Sequence, residues 1–314
     1  MTGGAGFIGS HLADSLTRLG CGVTVFDNFD DFYGGKEHNI AHLTGLPKFR
    51  LERGTILDEK SLRRAMSGKS IVFHLAGQAG IRYCLANPVK AHEVNVTGTL
   101  NVLTSARHLG VQKLVFASSS SLYGVPIKVP ISETHPLNPM NIYGASKLAA
   151  EKYCISFSEG YGLPVTCLRY FSVYGPRGRP DQVLYAVAQR AAAGKPAEIY
   201  GSGNQTRDFT YVSDIVSGTI IAAMRDDSIG EVFNLGYGSQ FTIRDATARI
   251  NRYFRNEVPP IHRTAYQGDF PRTLCDNSKA RERLGWSPQV NFAEGLEAFL
   301  DWFSKERSPM THGP

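Results

Sequence analysis

Cysteine is scarce in this chain and never paired: Cys21, Cys84, Cys154, Cys167 and Cys275 are odd in number, widely spaced and form no C-x-x-C. The pattern excludes a disulfide framework and a cysteine-rich metal clasp. It leads us to expect reduced, mostly structural thiols in a cytoplasmic protein that holds no metal. No apolar run approaches the ~20 residues that cross a membrane, and the start does not read as a basic-then-apolar leader. No block of Lys or Arg suggests a nucleic-acid tail. The net charge of +6 therefore points to a small anionic ligand, with neither membrane nor nucleic acid as partner. Internal repeats and low-complexity linkers are also missing. What is present is a 314-residue chain, 42% hydrophobic and 20% charged, with the makings of one large domain or two intimately joined ones.

The first half alternates two patterns. "GVTVFD", "SIVFHLAG" and "KLVFASSS" are β-branched and aromatic runs that end in an acid or in small residues. Between them lie "DEKSLRRAM" and "NVTGTLNVLTSARHLG", with helical apolar spacing and a glycine stop after the second. Such alternation predicts an α/β fold, a Rossmann-type doubly wound parallel sheet with helices on both faces. "PVTCLRYFSVYG" reads as one further buried strand. Beyond it, Pro- and Gly-rich turns punctuate shorter elements, and a last helix in "NFAEGLEAFLDWF" precedes a polar, frayed tail, "SKERSPMTHGP". We expect a nucleotide-binding domain over residues 1–175 and a smaller α/β substrate domain over 176–314, with segments crossing back to the first.

"GGAGFIGSH" fits a phosphate-cradling turn. Glycines allow a tight bend and close approach to a pyrophosphate, and the following helix offers free N–H groups and a positive dipole end. Asp27 closes the next strand, 18 residues beyond Gly9, where an acid can bind adenosine ribose hydroxyls. That acid would repel a 2′-phosphate, so NAD is favoured over NADP. Only Met1 and Thr2 stand before the turn, where a buried central strand is expected. Our reading is that the written start is late, an internal GTG valine codon having been taken as the initiator, so that the first strand is truncated.

"NIYGASKLAAEKY" sets Tyr143 and Lys147 four apart, on one helix face. A tyrosine of pKa ~10 is a poor base at neutral pH. An ammonium neighbour and a positive nicotinamide ring would favour its phenolate. Ser119, after a strand in "FASSSSLYG", could hydrogen-bond the same substrate hydroxyl.

With these motifs, over essentially its whole length, the sequence resembles an extended short-chain dehydrogenase/reductase, and within that family the NAD-dependent nucleotide-sugar epimerases. The resemblance implies a homodimer formed through helices of the first domain, and a catalytic trio of Ser119, Tyr143 and Lys147. It implies cofactor contacts at Gly3, Gly6, Phe7, Ile8, Gly9, Asp27, Asn28, Asp58, Leu75, Ala76, Asn95 and Tyr170, besides Tyr143 and Lys147. Thr55 departs from the family, which often has an acid there beside the adenine amino group.

The substrate is narrowed by small differences. Related 4,6-dehydratases carry an Asp-Glu pair after the serine, and related decarboxylases a nearby glutamate. Here Ser120 and Ser121 offer only hydroxyls, which argues for simple oxidation and re-reduction. In "RYFSVYGPRGRPD", Ser172 and Arg179 resemble the threonine and arginine of UDP-glucuronate 4-epimerases, and together suit a carboxylate. "AGIRYCLANP", with Arg82, also looks like that branch. By the same resemblance Arg207 contacts the nucleotide, Arg272 the diphosphate, Asp276 the uridine ribose, and Tyr200 stacks near the base. UDP-glucuronate to UDP-galacturonate is the expected reaction. A UDP-glucose/UDP-galactose 4-epimerase is the alternative, and a non-catalytic NAD-binding scaffold stands behind both.

Overall fold

The computed structural model of the chain describes residues 1–265 and 270–307. The tail expected to fray lies, from residue 308 on, outside the described residues. β1 (Val23–Asp27) pairs with β2 (Phe49–Arg53), and β3 (Ile71–His74), β4 (Lys113–Ser119), β5 (Val165–Tyr170) and the strand Val232–Leu235 pair in that order, all parallel. Thr2 joins the two groups. It bridges in parallel to Phe26 and to His74; its N–H donates to Phe73 O at 3.0 Å, and its carbonyl accepts from Leu75 N at 3.1 Å. The expected central strand is present as this bridge. Buried His74 holds it from the side, with Nδ1 2.8 Å from Thr2 Oγ1 and Nε2 3.0 Å from Thr99 Oγ1.

Strand side chains alternate between two apolar layers, which is why these segments read as continuous hydrophobic runs. Phe73, Val115 and Leu168 face α1 (Phe7–Arg18) and the helix Val212–Met224. Val72, Leu114, Phe116, Val165 and Cys167 face the helices Glu59–Met66, Gly98–His108 and Ile142–Tyr161. The strand Val232–Leu235 and the helix Val212–Met224 come from beyond residue 175 yet pack in this first domain.

"PVTCLRYFSVYG" is not one strand. β5 ends at Tyr170, and Ser172–Tyr174 belongs to another sheet, paired in parallel with Phe209–Tyr211. Phe171 N donates to Leu235 O at 3.0 Å, whereas Ser172 N donates to Asp208 O at 3.1 Å, so adjacent amides serve different sheets. A separate apolar core is built from short strands and the helices Val183–Ala192, Ile243–Tyr253 and Phe292–Arg307. It holds Leu184, Ile250, Phe299 and Phe303.

Among the described residues no helix is long and apolar enough to cross a membrane. All five cysteines are free, with only Cys21 exposed.

Candidate active site

A cavity of about 1170 Å³, its open mouth included, lies at the carboxyl ends of β1, β3, β4 and β5. Gly3, Gly6 and Gly9, the β1 acid Asp27, Leu75 and Ala76, and then Tyr143, Lys147, Tyr170 and Arg179 line it. Gly3 and Gly9 are sterically required. A Cβ on Gly9 would stand 2.2 Å from Gly3 O, and one on Gly3, where φ is +70°, 2.6 Å from Ala76 N. Gly6 caps α1 without any side-chain hydrogen bond, and apart from Phe7 N, which Tyr33 OH takes, the first turn of the helix faces the cavity as an anion-binding edge. This cradle and the acid at the end of β1 fit a dinucleotide.

Asp27 is buried, and burial pushes its carboxyl above the ordinary range against the pull of two amides. Its Oδ2 accepts from Ala5 N at 3.0 Å and its Oδ1 from Phe29 N at 2.9 Å. The acid expected on the ribose therefore also fixes the glycine turn. Asn28 is exposed and accepts from Asp30 N at 3.2 Å. Asp58 is not brought into the wall. It is exposed and caps the helix Glu59–Met66, accepting from Lys60 N and Ser61 N, while Thr55 does line the cavity. Asn95 acts from behind: its Oδ1 accepts from Gln78 N at 2.6 Å and its Nδ2 donates to Ser146 Oγ at 2.9 Å. Ser146 in turn donates to Tyr143 O at 2.9 Å, so Asn95 ties the loop after β3 to the helix that carries Tyr143 and Lys147.

That helix, Ile142–Tyr161, starts at Asn141, whose side chain accepts from Gly144 N at 2.8 Å. Tyr143 is half-buried and hydrogen-bonded to the buried Ser119 hydroxyl, which also accepts from Ser121 N at 3.1 Å. Burial pushes the Tyr143 phenol up. The main influences pulling it down are Ser119 and the Arg179 guanidinium; Lys147, the ammonium neighbour expected to favour the phenolate, is not among them. Lys147 lies 4.2 Å over the Phe116 ring, and desolvation brings its ammonium down from 10.5 to about 8.

This sets a pH dependence. The unfolded chain holds the Lys147 proton up to about pH 10.5, the folded one only to about 8, so burial of the charge costs stability below pH 8 and the cost fades between those values. Cofactor-stripped Lys147→Met is therefore expected to be more stable than the parent at pH 7 by about 3 kcal/mol, and equal to it above pH 10.5. Urea melts across that window check this; a difference independent of pH would contradict it.

Arg179 pairs with Asp181 through Nε to Oδ1 at 2.8 Å and Nη2 to Oδ2 at 3.0 Å. Ser172 lines another cavity, with Arg207 and Gln182, while Arg179 lines the one that holds Tyr143. Ser120 and Ser121 open a short turn after β4, both half-buried. Arg82 stacks 4.7 Å from the Tyr200 ring centre, and both line a third cavity with Arg190, Lys195 and Glu198. Arg207 and Arg272 are drawn together by the backbone bridge of Thr206 to Arg272. Buried Asp208 gathers the same region, accepting from Tyr237 N, Gly238 N and Cys275 N at 2.9 Å each. Asp276 sits beside it, its N–H donating to Ile131 O at 3.0 Å.

Sequence reasoning missed the segment after β1. Tyr33 OH accepts from Phe7 N at 3.0 Å, Lys36 donates to Asp30 O, and both line the cavity with Phe32. The aromatic and basic residues around "FYGGK" were the available signal.

Residues 1–236 match the model of the NAD dependent epimerase/dehydratase family. A UDP-glucuronate 4-epimerase of Thermodesulfobacterium geofontis is 35% identical over 98% of this chain and 95% of its own. Among solved structures, a UDP-glucuronic acid 4-epimerase of Bacillus cereus in complex with UDP-glucuronic acid and NAD superposes with a TM-score of 0.92, at 32% identity over 97% of this chain and 98% of that one. A UDP-glucose 4-epimerase of Thermotoga maritima with UDP-glucose gives 0.91, at 34% identity over the same shares.

Proposed function

Because the chain belongs to the NAD dependent epimerase/dehydratase family, we propose that it is a UDP-sugar 4-epimerase whose substrate is UDP-glucuronate, converted to UDP-galacturonate. It is an NAD-dependent nucleotide-sugar epimerase. What carries the uronate reading is Arg179, a guanidinium in the wall of the cavity that also holds Tyr143. The T. geofontis and B. cereus relatives named for UDP-glucuronate support it. The alternative, UDP-glucose/UDP-galactose, is favoured by one observation: Asp181 already neutralises Arg179. The presence of both Tyr143 and Lys147 argues against a non-catalytic scaffold.

The residues divide the work. Asp27 and the glycine turn hold the dinucleotide, with Lys147 on its second ribose. Bound NAD supplies the hydride acceptor and later the hydride donor, and its positive ring favours the phenolate. Tyr143 Oη takes the proton from the 4-hydroxyl of the sugar, and Ser119 Oγ steadies the oxygen. After the sugar presents its opposite face, Tyr143 Oη returns the proton. Arg207, Arg272 and Asp276 hold the nucleotide, and Ser120 and Ser121 add hydroxyl donors near the sugar.

A 4-keto uronate is a β-keto acid that loses CO₂ most easily when its carboxylate bond lies perpendicular to the ketone plane. A guanidinium holding the carboxylate restrains that geometry. Arg179→Ala is therefore expected to raise the ratio of pentose by-product to epimer, or to abolish turnover. Chromatography of UDP-glucuronate, UDP-glucose and UDP-galactose incubations tests both the substrate and the variant. Unchanged activity of the variant on UDP-glucuronate removes Arg179 from the reading.

We also infer a cytoplasmic homodimer. Leu85, Val89 and Tyr153 are 59%, 69% and 41% exposed on the mutually packed helices Ile81–Ala86, Pro88–His92 and Ile142–Tyr161. Light scattering reads the mass directly.

A further inference from the structure

We propose that Asp181 is a specificity-determining residue: it stands on the guanidinium edge of Arg179 as an internal substitute for a sugar carboxylate, and yields that edge to a uronate but not to a neutral hexose. This rests on the UDP-uronate reading above.

Arg179 stands in the cavity wall, and Asp181 meets it from the solvent side of the rim. Gly80, at φ +88°, makes room for the pair: a Cβ there would stand 3.2 Å from Asp181 Oδ2 and 2.6 Å from Phe32 Cζ. Phe32 closes the other side, edge-on to Tyr83 at 4.7 Å and with Arg179 6.0 Å from its ring centre. The titratable groups under the influence of the pair are Tyr33, Tyr143 and Cys84. The side chains of Arg179 and Asp181 are 22% and 35% exposed. Ion pairs that wet are worth little, so exchange of one carboxylate for another is nearly balanced. Sugar hydroxyls make weaker bonds to a guanidinium than a carboxylate does, so a neutral sugar leaves the pair closed. Asp181 also sets a negative charge against the Tyr143 phenol, so its departure from Arg179 alters the field at the proton-transfer atom.

The test uses NAD-loaded enzyme with Asp181→Asn and Asp181→Glu, measuring kcat and KM for UDP-glucuronate and UDP-glucose across pH. In Asp181→Asn the KM for UDP-glucuronate is expected to fall about three- to tenfold, with the ratio of the two KM values shifting to match. The acid limb of kcat/KM should move to lower pH, and Asp181→Glu should restore both. An unshifted ratio, or a higher KM for UDP-glucuronate, overturns the proposal while leaving the substrate reading intact. If the parent enzyme does not turn over UDP-glucuronate, both fall. Asp181→Ser makes the same comparison should the asparagine variant melt early.

Discussion

Tyr143→Phe is expected to slow UDP-sugar interconversion about a hundred- to ten-thousandfold while the enzyme keeps most of its bound NAD. The ring stays in the cavity wall, and the anchor that ties this turn to the loop after β3 runs through Tyr143 O, Ser146 and Asn95, not through the phenol. Only the atom that moves the proton is lost. NAD released on denaturation, measured beside epimer formation by chromatography, separates the two effects. Parent-like rates would remove Tyr143 from catalysis and leave the glycine turn as the mark of a dinucleotide holder.

Arg169→Met should be the most destabilising single change behind the site, by about 3–5 kcal/mol, or roughly 10 °C in Tm. Arg169 and Glu151 are 4% and 0% exposed. Arg169 meets both Glu151 oxygens, at 2.6 Å from Nη2 and 3.0 Å from Nε, and its Nη1 donates to Tyr123 OH at 2.8 Å. Tyr123 OH donates to Asn234 Oδ1 at 2.7 Å, while Ser118 Oγ donates to Glu151 Oε2 at 2.5 Å. Removing the guanidinium leaves a fully buried carboxylate with one hydroxyl partner. Adding Glu151→Gln removes the stranded charge, and the double variant should recover much of the loss. Thermal melts of the three proteins decide it; a single variant within 1 °C of the parent would mean that the pair contributes nothing.

The sheet was legible because its strands are buried on both faces: "SIVFHLAG" and "KLVFASSS" have no polar side to confuse with a helix. The glycine turn, Asp27, Tyr143 and Lys147 were legible because each motif has a fixed spacing along the chain. Three things were not. The break at Phe171 leaves no turn residue in "RYFSVY"; it comes from tertiary pairing with Asp208 and Leu235. The companion of Arg179 was in plain view two residues on, but "GRPD" does not say that the chain will turn Asp181 back onto the guanidinium. The burial of Lys147, which lowers its proton affinity, depends on the Phe116 ring and the surrounding core, which the spacing alone does not reveal.

The crossover at Phe171 has a mechanical consequence. Tyr170 closes the dinucleotide side of the cleft and Ser172 the opposite cavity, and each is fastened to its own sheet. That seam is covalent and stitched on both sides, so the aperture cannot widen there. Across the cavity the ribbon from Asn28 to Lys36 is held as well, by Asp30 on Lys90 at 2.7 Å and by Tyr33 OH on Phe7 N at 3.0 Å, so the dinucleotide's berth is braced on both margins.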